Sequence, residues 1–401
     1  MPHEVTYTCP ADGGNLDVVL DVAGINKQVH PNDIFASHEP SLWRYLPLLP
    51  ITDPGGIGTP LRAAGWTPIF KPQVLARKLG LESLWVKDES RNPTASFKDR
   101  ASAVLVGRAR NIGAEVVVTA STGNAGAALA GMAAAVGQKA IIFAPRTAPP
   151  AKIAQLLVFG AQVLLVDGTY DDAFDLTIQA AEAFGWYCRN TGYNPFTAEG
   201  KKTAALEIWE WMQREAGPEF SAGRRLSIFV SVGDGNIISG LHKGFQDLLA
   251  LGWLEQMPRI FGVQAEGSAA IANAFFSGGE QIIPVQARTL ADSISVDLPR
   301  DGVRAVRAAR ETGGSYVLVS DAEILAAIAE LGRVGIFAEP AGATAYAGLS
   351  RAIASGLVNT GDPVLVLNTG SGLKDVRAAM QAVSEAPVIP PSLDAVRKLI
   401  G

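Results

Sequence analysis

The sequence predicts an α/β protein built from two open, doubly wound α/β domains. Short apolar runs alternate along the chain with longer runs rich in Ala and Leu, the pattern of strands followed by helices. Most of the short runs are apolar throughout, as in strands of a parallel sheet that helices cover on both faces. The chain has 401 residues, whereas a domain typically has roughly 100–200, so two domains are expected.

The predicted strands are eight apolar runs, at 84–87, 115–120, 139–144, 162–167, 226–232, 259–264, 316–320 and 363–369. In open sheets of this kind ligands bind beyond the carboxyl ends of the strands. Among the helices, the one after Ser320 is best marked, because Ser320 and Glu323 have the spacing of a capping box. The apolar positions that follow lie on one helical face, at Ile324, Leu325, Ile328 and Leu331. Residues 385–391 are predicted to be a linker to a short final helix.

The composition argues against several classes of protein. Lys and Arg number 34 against 39 Asp and Glu, a net charge of −5, so nucleic acid and anionic membranes are not expected as partners. Cys9 and Cys188 belong to no C-x-x-C pair, so no metal site or disulfide framework is expected, and 7–14 is predicted to be a β-hairpin turn. The most apolar helix-like run, 125–137, is shorter than the about 20 residues that span a bilayer. No secretory signal is visible, so a cytoplasmic protein is expected.

The segment 92–100, NPTASFKDR, follows the first predicted strand and carries the strongest candidate for chemistry. Lys98 comes directly after Ser96 and Phe97, so we expect it at the start of a helix beside an aromatic ring. A lysine that forms an imine must lose its proton, and partial burial lowers its pKa in that direction. Lys98 is therefore the candidate for holding a carbonyl compound covalently.

Two glycine-rich turns each connect a predicted strand to a predicted helix. The first, 118–126 (VTASTGNAG), offers backbone amides together with the side chains of Ser121, Thr122 and Asn124. The second, 231–240 (SVGDGNIISG), can form a phosphate cradle, because a helix N-terminus favours an anion. The second turn lacks the G-x-G-x-x-G spacing of a dinucleotide site. A Walker A loop is also rejected, because the AEGKKT segment lacks the first glycine that such a loop requires.

A fourth motif, 367–375 (LNTGSGLKD), follows the last predicted strand. Thr369 would lie at the carboxyl end of that strand, where its hydroxyl could face a ring nitrogen. The four motifs, in this order, resemble the fold-type-II pyridoxal-phosphate enzymes of the tryptophan synthase β-like architecture. Within that group the chain most resembles the threonine synthase family, over roughly residues 42–380. The segments that carry the resemblance are 92–100, 121–126, 339–349 (EPAGATAYAGL) and 369–375.

The resemblance implies a fold, a cofactor and an activity. It implies a large cofactor-binding α/β domain formed by 1–93 and 195–401, with an N-terminal extension over 1–50, and a small α/β domain at 94–194. The cofactor would be pyridoxal 5'-phosphate, and the protein would be a homodimeric lyase of amino-acid biosynthesis. Its substrate would be a small amino acid, O-phosphohomoserine in the threonine synthase reaction.

The resemblance also implies a role for each candidate residue. Lys98 would hold the cofactor as an imine and later carry a proton. Asn124 would hydrogen-bond the cofactor's phenolic oxygen, and Thr369 would face its pyridine nitrogen. The substrate carboxylate would bind to Ser121, Thr122 and Gly123. The cofactor phosphate would bind to the backbone amides of Gly233, Asp234, Gly235 and Asn236.

The sequence departs from the family where the substrate's phosphate would bind. The family pattern has an arginine at the position of Thr197 and an Asn-Ser pair at the positions of Thr191 and Gly192. An arginine offers a charged, two-pronged donor that a threonine cannot replace. One interpretation is that Arg146 or Lys152, which follow the strand at 139–144, supplies the missing charge. The VGDGN form of the cofactor-phosphate loop also differs from the GNxGN form usual in the family.

The other interpretation is that the substrate carries no phosphate. The chain would then be a threonine or serine ammonia-lyase, or an elimination or replacement enzyme similar to cysteate synthase. The sequence leaves these two interpretations open. A third hypothesis, from a different class, is a ligand-binding relative without catalysis. The presence of Lys98 with all its neighbours counts against that hypothesis.

Overall fold

The computed structural model describes residues 5–148, 150–214 and 224–400, which form ten strands and fifteen α-helices. The strands are β1 (Ile69–Phe70), β2 (Leu84–Asp88), β3 (Val116–Ala120), β4 (Lys139–Pro145), β5 (Gln162–Val166), β6 (Tyr187–Cys188), β7 (Ser227–Ser231), β8 (Arg259–Ala265), β9 (Tyr316–Val319) and β10 (Val364–Asn368). The helices are α1 (Val22–Gln28), α2 (Pro31–Phe35), α3 (Gln73–Leu79), α4 (Lys98–Asn111), α5 (Asn124–Ala134), α6 (Pro150–Val158), α7 (Tyr170–Phe184), α8 (Phe196–Arg214), α9 (Asn236–Ala250), α10 (Ala270–Phe276), α11 (Gly302–Glu311), α12 (Asp321–Gly332), α13 (Pro340–Ala354), α14 (Val376–Gln381) and α15 (Leu393–Ile400).

The strands form two sheets. One has six strands in the order β1-β2-β10-β7-β8-β9, and the other has four in the order β5-β4-β3-β6. β1 runs antiparallel to β2, and every other pairing is parallel. All eight predicted strands are present, with ends that differ from the prediction by no more than one residue. The α/β, doubly wound fold that the sequence predicted is confirmed.

The apolar runs are explained by burial on both faces of the sheets. In β2, β3, β7 and β10 every residue is buried, as expected of parallel strands between helix layers. The strands of the four-stranded sheet all lie between residues 116 and 188, and the strands of the other sheet lie on either side of that span. The domain boundaries at 94 and 194 remain a prediction.

The start of α12 follows the predicted capping box. Oγ of Ser320 accepts a hydrogen bond from the amide of Glu323 over 3.3 Å, and the Ser320 amide donates to Oε2 of Glu323 over 2.7 Å. Three of the four predicted apolar positions are fully buried and Leu325 packs against the same core. The last helix, α15, follows the predicted linker. None of the described helices combines the length and the apolar character that crossing a membrane requires.

The N-terminal segment contacts both halves of the fold. An antiparallel bridge between Thr8 and Asn15 closes the turn that the sequence predicted. The amide of Cys188 in β6 donates to the hydroxyl of Tyr7 over 2.9 Å. The side chain of Asn15 donates to the carbonyl of Arg300, ahead of α11, over 2.9 Å. The segment therefore connects the four-stranded sheet to the loop that precedes α11.

Candidate active site

A cavity of about 470 Å³ opens at the carboxyl ends of strands from both sheets. Its wall includes the ends of β3 and β7, the loop after β10, and the first residues of α4, α5 and α9. All ten residues that were predicted to bind the cofactor or the substrate carboxylate line this cavity: Lys98, Ser121, Thr122, Gly123, Asn124, Gly233, Asp234, Gly235, Asn236 and Thr369. The fold thus brings four separate motifs to one place.

Lys98 is the first residue of α4, and the loop after β10 fixes its position. The amide of Phe97 donates to the carbonyl of Thr369 over 2.9 Å, and the amide of Ser371 donates to the carbonyl of Ala95 over 3.1 Å. Ala95 has a φ of 65°, which is uncommon for a residue with a side chain. The chain therefore turns sharply before the helix, and the Lys98 side chain reaches the cavity.

Two residues further along α4, Arg100 belongs to a buried ion cluster. Its Nε lies 2.7 Å from Oε2 of Glu89, and its Nη2 lies 2.7 Å from Oε2 of Glu207 in α8. Nζ of Lys87 in β2 lies 2.7 Å from the same Glu207 oxygen. All four side chains belong to residues that are at most 3% exposed. Because buried charges are tolerated only when they are paired, this cluster fixes the start of α4 against α8 and β2.

The surroundings of Lys98 favour its neutral form. Loss of water around the amine lowers the pKa of Lys98 to about 8, and the nearby charge of Arg189 acts in the same direction. Asp234 and Glu339 oppose this shift. A lysine with a pKa near 8 is partly neutral at neutral pH, and the neutral amine is the form that attacks a carbonyl. The environment therefore suits a lysine that forms an imine.

The turn before α9 forms a cradle of backbone amides. Gly235 has a φ of 90°, and a Cβ there would lie 2.7 Å from the carbonyl oxygen of Asp301. A Cβ at Gly233 would lie 2.9 Å from Cα of Ile294. In the described part of the chain, the amides of residues 233–235 donate to no other group. Open amides at the start of a long helix are suited to a phosphate group.

Asn236, the first residue of α9, is held by two charged side chains. Its Oδ1 accepts a hydrogen bond from Nζ of Lys201 in α8, and its Nδ2 donates to Oδ2 of Asp301 over 2.6 Å. Burial, followed by the charge of Lys98, holds the pKa of Lys201 well below its usual range. Lys201 also lines the cavity. Its role was not predicted from the sequence, because nothing in the segment around it shows where the side chain points.

Asp234 places a carboxyl group in the amide cradle. Its Oδ1 accepts a hydrogen bond from the amide of Arg300 over 3.3 Å. Burial raises the pKa of Asp234, whereas the Arg300 amide and the charges of Lys98 and Lys201 lower it. A carboxylate here would repel a phosphate, so the surrounding cations are needed to offset its charge.

The turn before α5 forms a second anion site. The amide of Gly123 donates to Oγ of Ser121 over 3.2 Å. A Cβ at Gly126 would lie 2.2 Å from the carbonyl oxygen of Ser121, so the tight turn requires glycine. Ser121 and Thr122 present their side chains at the start of an eleven-residue helix. Such a site favours a carboxylate, as the sequence analysis proposed.

Asn124 contacts a buried carboxyl group that the sequence analysis did not assign. Its Nδ2 donates to Oε1 of Glu339 over 2.7 Å, and Glu339 is 3% exposed. Burial raises the pKa of Glu339 to about 7, although the hydrogen bond from Asn124 opposes the shift. Glu339 belongs to the EPAGATAYAGL segment, and that motif was the available signal for it. The pair places a group that can hold a proton beside Asn124.

Thr369 lies at the carboxyl end of β10, next to the end of β7. Its Oγ1 is 3.4 Å from Oγ of Ser231, and both residues are buried. Each hydroxyl can donate or accept, so the pair can adapt to a ring nitrogen in either protonation state. This is the position that the sequence analysis gave to Thr369.

The two residues proposed to replace the family's arginine, Arg146 and Lys152, do not line the main cavity. Arg146 is exposed, forms an ion pair with Asp167 over 3.4 Å and is not part of the cavity wall, so its placement does not support the interpretation that it supplies the missing charge. Lys152 lines a smaller neighbouring cavity of about 130 Å³ and is paired with Asp292. Thr197 is fully buried, and its hydroxyl donates to a backbone carbonyl over 2.8 Å.

Of the two residues at the family's Asn-Ser positions, Thr191 lines the cavity. Gly192 has a φ of 77°, and a Cβ there would lie 2.6 Å from the carbonyl oxygen of Arg300. Oγ1 of Thr191 accepts a hydrogen bond from Arg189, which also lines the cavity. Arg189 was not predicted from the sequence, because a single arginine after the two-residue strand β6 carries no motif.

Known proteins match the chain over nearly its whole length. The family described as pyridoxal-phosphate dependent enzyme matches residues 61–370. The chain is 35% identical to a threonine synthase of Methanocaldococcus jannaschii, over 99% of this chain and 96% of that protein. It is 36% identical to a threonine synthase of Methanosarcina acetivorans, over 99% of this chain and 95% of that protein. The processed form of threonine deaminase isoform 2 from Solanum lycopersicum has the same fold, with a TM-score of 0.66 at 20% identity over 96% of this chain and 93% of that one.

The cavity and the comparisons agree on the cofactor. Pyridoxal phosphate combines a phosphate group with an aldehyde, and the cavity offers open amides at α9 for the first and the Lys98 amine for the second. The match at 61–370 contains the first three motifs and the first four residues of the fourth, 367–370. This chain belongs to the pyridoxal-phosphate-dependent enzymes and, within them, to the threonine synthase family.

Proposed function

We propose that this chain converts O-phosphohomoserine and water to threonine and inorganic phosphate. The observation that carries the proposal is the meeting of Lys98 with two helix N-termini, those of α5 and α9, in one cavity. One N-terminus suits a cofactor phosphate and the other a substrate carboxylate. The names of the relatives in Methanocaldococcus jannaschii and Methanosarcina acetivorans support this choice of substrate.

Four elements of the cavity wall would hold the cofactor. Nζ of Lys98 would hold it covalently, and the amides of residues 233–236 would bind its phosphate. Asn124 has a second amide proton for the phenolic oxygen beside the one given to Glu339, and Thr369 would face the ring nitrogen. When bound, pyridoxal phosphate supplies an acceptor for the electron pair left on the substrate's α carbon when its proton is removed.

The chain's own groups would bind the substrate and move its protons. Ser121, Thr122 and Gly123 would hold the α carboxylate at the start of α5. Nζ of Lys98, when it does not hold the cofactor, would take the α proton of the substrate and later return it, which its lowered pKa favours. The reaction moves protons at more than one carbon, and Glu339, with a pKa near 7, is a second group that can hold one.

An ammonia-lyase acting on threonine or serine is the second candidate. The absence of an arginine at Thr197 favours it, since an unphosphorylated substrate needs no second phosphate site. The two candidates differ in the product. The first releases inorganic phosphate and threonine, and the second releases ammonia and a 2-oxo acid.

The test uses the cofactor-loaded protein and measures phosphate, threonine and ammonia. With O-phosphohomoserine we expect phosphate and threonine in equal amounts, and a Lys98→Ala variant that produces neither. Ammonia from threonine or serine, without phosphate release from O-phosphohomoserine, would replace the proposal by the second candidate. Failure of both reactions, with no change of cofactor absorbance on adding any amino acid, would support a ligand-binding relative.

Three further expectations from the family resemblance are proposals of the same kind. They are a homodimer, a cytoplasmic location, and a small domain at 94–194 beside a large one formed by 1–93 and 195–401. Light scattering of the holoenzyme would test the first. Limited proteolysis that released a fragment with ends far from residues 94 and 194 would contradict the third.

A further inference from the structure

Arg189 carries a buried charge that forms no close ion pair with a carboxylate of the described residues, and Asp234 acts on it only from a longer distance. The residue is 1% exposed, yet its side chain lines the cavity. Nη1 donates to Oγ1 of Thr191 over 2.7 Å, and Nε lies 3.5 Å from Oγ of Ser102. Nη2 has no hydrogen-bond partner among the described residues. The guanidinium therefore has donors to spare in a place that bulk water does not reach freely.

Two other buried arginines, Arg44 and Arg100, are paired with carboxylates. Nη2 of Arg44 lies 2.7 Å from Glu210, and Nε of Arg100 lies 2.7 Å from Glu89. A buried cation normally has such a partner, because the cost of removing it from water must be offset. Burial lowers the pKa of Arg189 to about 10, the direction expected of a cation that lacks this compensation. An anion that enters the cavity would supply it.

Arg189 and the cradle for the cofactor phosphate belong to different sheets, although both line the cavity and Asp234 of the cradle acts on the charge of Arg189. Arg189 follows β6, and its amide donates to the carbonyl of Val118 in β3 over 2.7 Å, so it belongs to the four-stranded sheet. The amide cradle belongs to the turn between β7 and α9, in the other sheet. The cradle already has Lys201 beside it, through the hydrogen bond to Asn236. Arg189 is therefore available to a second anion.

We infer that Arg189, oriented by Thr191, binds the phosphate group of the substrate and does the work of the arginine that the family pattern places at position 197. Thr197 itself is buried outside the cavity wall, so its side chain does not reach a ligand here. The inference rests on the proposed function. It specifies the substrate as an amino acid that bears a phosphate monoester, which a guanidinium can bind with two parallel hydrogen bonds.

The experiment compares two ligands that differ in one anionic group. 2-Amino-5-phosphonopentanoate is norvaline with a phosphonate group attached to its terminal carbon. Each ligand can be titrated into the holoenzyme, and its binding can be followed by the change of cofactor absorbance. In Arg189→Met we expect the phosphonate ligand to bind about 100-fold more weakly, because two charge-assisted hydrogen bonds are lost. Norvaline should bind within about 3-fold of the wild type.

Further variants separate charge, geometry and folding. Arg189→Lys keeps the charge without the fork and should lose about 10-fold, and Thr191→Val should lose a similar amount because Arg189 is no longer oriented. Thr197→Val is the control at the family's position, and we expect ligand binding to be unchanged. Arg225→Met is the control for loss of a guanidinium elsewhere, since Arg225 donates to the carbonyls of Met257 and Thr312. If Arg189→Met fails to fold, the Lys and Val variants decide.

Three kinds of result would overturn the inference. The first is a wild-type protein that binds the phosphonate no more tightly than norvaline, or an Arg189→Met variant in which both ligands weaken equally, which would assign Arg189 to the carboxylate. The second is unchanged phosphonate affinity in Arg189→Met. The third is weaker binding of pyridoxal phosphate, but not of pyridoxal, by the apo form of Arg189→Met, which would assign Arg189 to the cofactor phosphate. Failure of the proposed function is separate, because it appears as absent turnover in the wild type.

Discussion

Nδ2 of Asn124 donates a hydrogen bond to Oε1 of Glu339 over 2.7 Å, and this bond joins the two halves of the cavity. Asn124 begins α5, which follows a strand of the four-stranded sheet, whereas Glu339 directly precedes α13, which packs on the six-stranded sheet. The bond is charge-assisted when Glu339 is ionised and weaker when Glu339 is protonated. The protonation state of one buried carboxyl group therefore controls how firmly Asn124 is held.

The first prediction is that Glu339→Gln removes a step from the pH profile. Burial raises the pKa of Glu339 to about 7, so the carboxylate that holds Asn124 is present above about pH 7 and lost below it. We expect kcat/KM of the wild type to fall as the pH drops through 7. In Glu339→Gln the activity should be about 10-fold lower at pH 8 and should lack this fall, because the amide does not titrate. The measurement is kcat/KM from about pH 5.5 to 9.

The control for this prediction is Glu330→Gln. Glu330 accepts a hydrogen bond from the hydroxyl of Tyr346 and does not line the cavity. Its replacement should leave the pH profile unchanged. A Glu339→Gln variant that keeps the fall near pH 7 would assign that step to another group.

The second prediction concerns the apo protein and the charge of Lys98. The pKa of Lys98 is lowered from 10.5 to about 8, a shift that corresponds to at most about 3 kcal/mol of destabilisation by the charged form. Below pH 8 Lys98 is charged in both the folded and the unfolded state, and the whole cost is present. Between pH 8 and 10.5 only the unfolded state keeps the proton, so the folded state gains stability as the pH rises. Apo Lys98→Met should therefore be more stable than the apo wild type at pH 7.

This advantage should shrink as the pH rises from 8 towards 10.5. Urea unfolding of both apo proteins at several pH values gives the difference directly. Lys78→Met is the control, since the Lys78 side chain is 53% exposed, and its replacement should change little at any pH. An advantage of Lys98→Met that is the same at pH 7 and pH 10 would contradict the assignment of the shift to Lys98.

The third prediction is that Gly235→Ala weakens cofactor binding. Gly235 needs a φ of 90°, and a Cβ there would press on Asp301, whose side chain holds Asn236. The turn must shift, and its amides then no longer meet in one place. We expect the dissociation constant of pyridoxal phosphate to rise by at least about 10-fold, the effect of losing roughly one hydrogen bond to a charged group. Titration of the apo protein with cofactor measures it.

Gly252→Ala is a matched control for the same backbone strain. Gly252 has a φ of 72° and open space around the place of a Cβ. Each alanine should cost about 1 kcal/mol of stability through its left-handed conformation. Only the variant at 235 should lose cofactor affinity. Equal loss in both variants would show that the effect is general destabilisation rather than damage to the cradle.

The cradle at Gly235 and the position of Lys98 could be predicted from the sequence because both are local. A glycine-rich turn after an apolar run is enough to place open amides at the start of a helix. Lys98 was identified in a similar way, from the sequence motif around it. The strand β6, in contrast, was not predicted, because two residues are too few to show a pattern.

The residues that the sequence analysis missed or misplaced depend on side-chain direction and on distant partners. Glu339 and Arg189 meet the cavity only after two sheets have been assembled. Arg146 follows β4 as predicted, but its amide bonds to the carbonyl of Val166, and the chain turns the side chain outwards to Asp167. An apolar run in the sequence is enough to predict the strand. It does not show in which direction the side chain of the next residue points.

The fourth prediction is that Glu207→Gln strongly destabilises the fold. Burial alone would raise the pKa of Glu207, but the charges of Arg100 and Lys87 hold it below its usual range. The substitution keeps the shape of the side chain and leaves the two buried cations with Glu89 as their only carboxylate in this cluster. Breaking a buried ion pair in this way typically costs about 3–5 kcal/mol. Urea unfolding of the apo proteins at pH 7 measures the loss.

The pH dependence of this loss provides an internal check. Because the folded pKa of Glu207 is lowered, its contribution is fully present above the unfolded value of 4.5 and is lost as the pH falls through the folded pKa. The difference between the wild type and Glu207→Gln should therefore shrink below about pH 4.5. Arg397→Met, which breaks an exposed pair with Asp394, should cost no more than about 0.5 kcal/mol. A Glu207→Gln variant within 1 kcal/mol of the wild type at pH 7 would show that the cluster does not stabilise the fold, and the start of α4 would then have to be fixed by the contacts of Phe97 and Ala95 with the loop after β10.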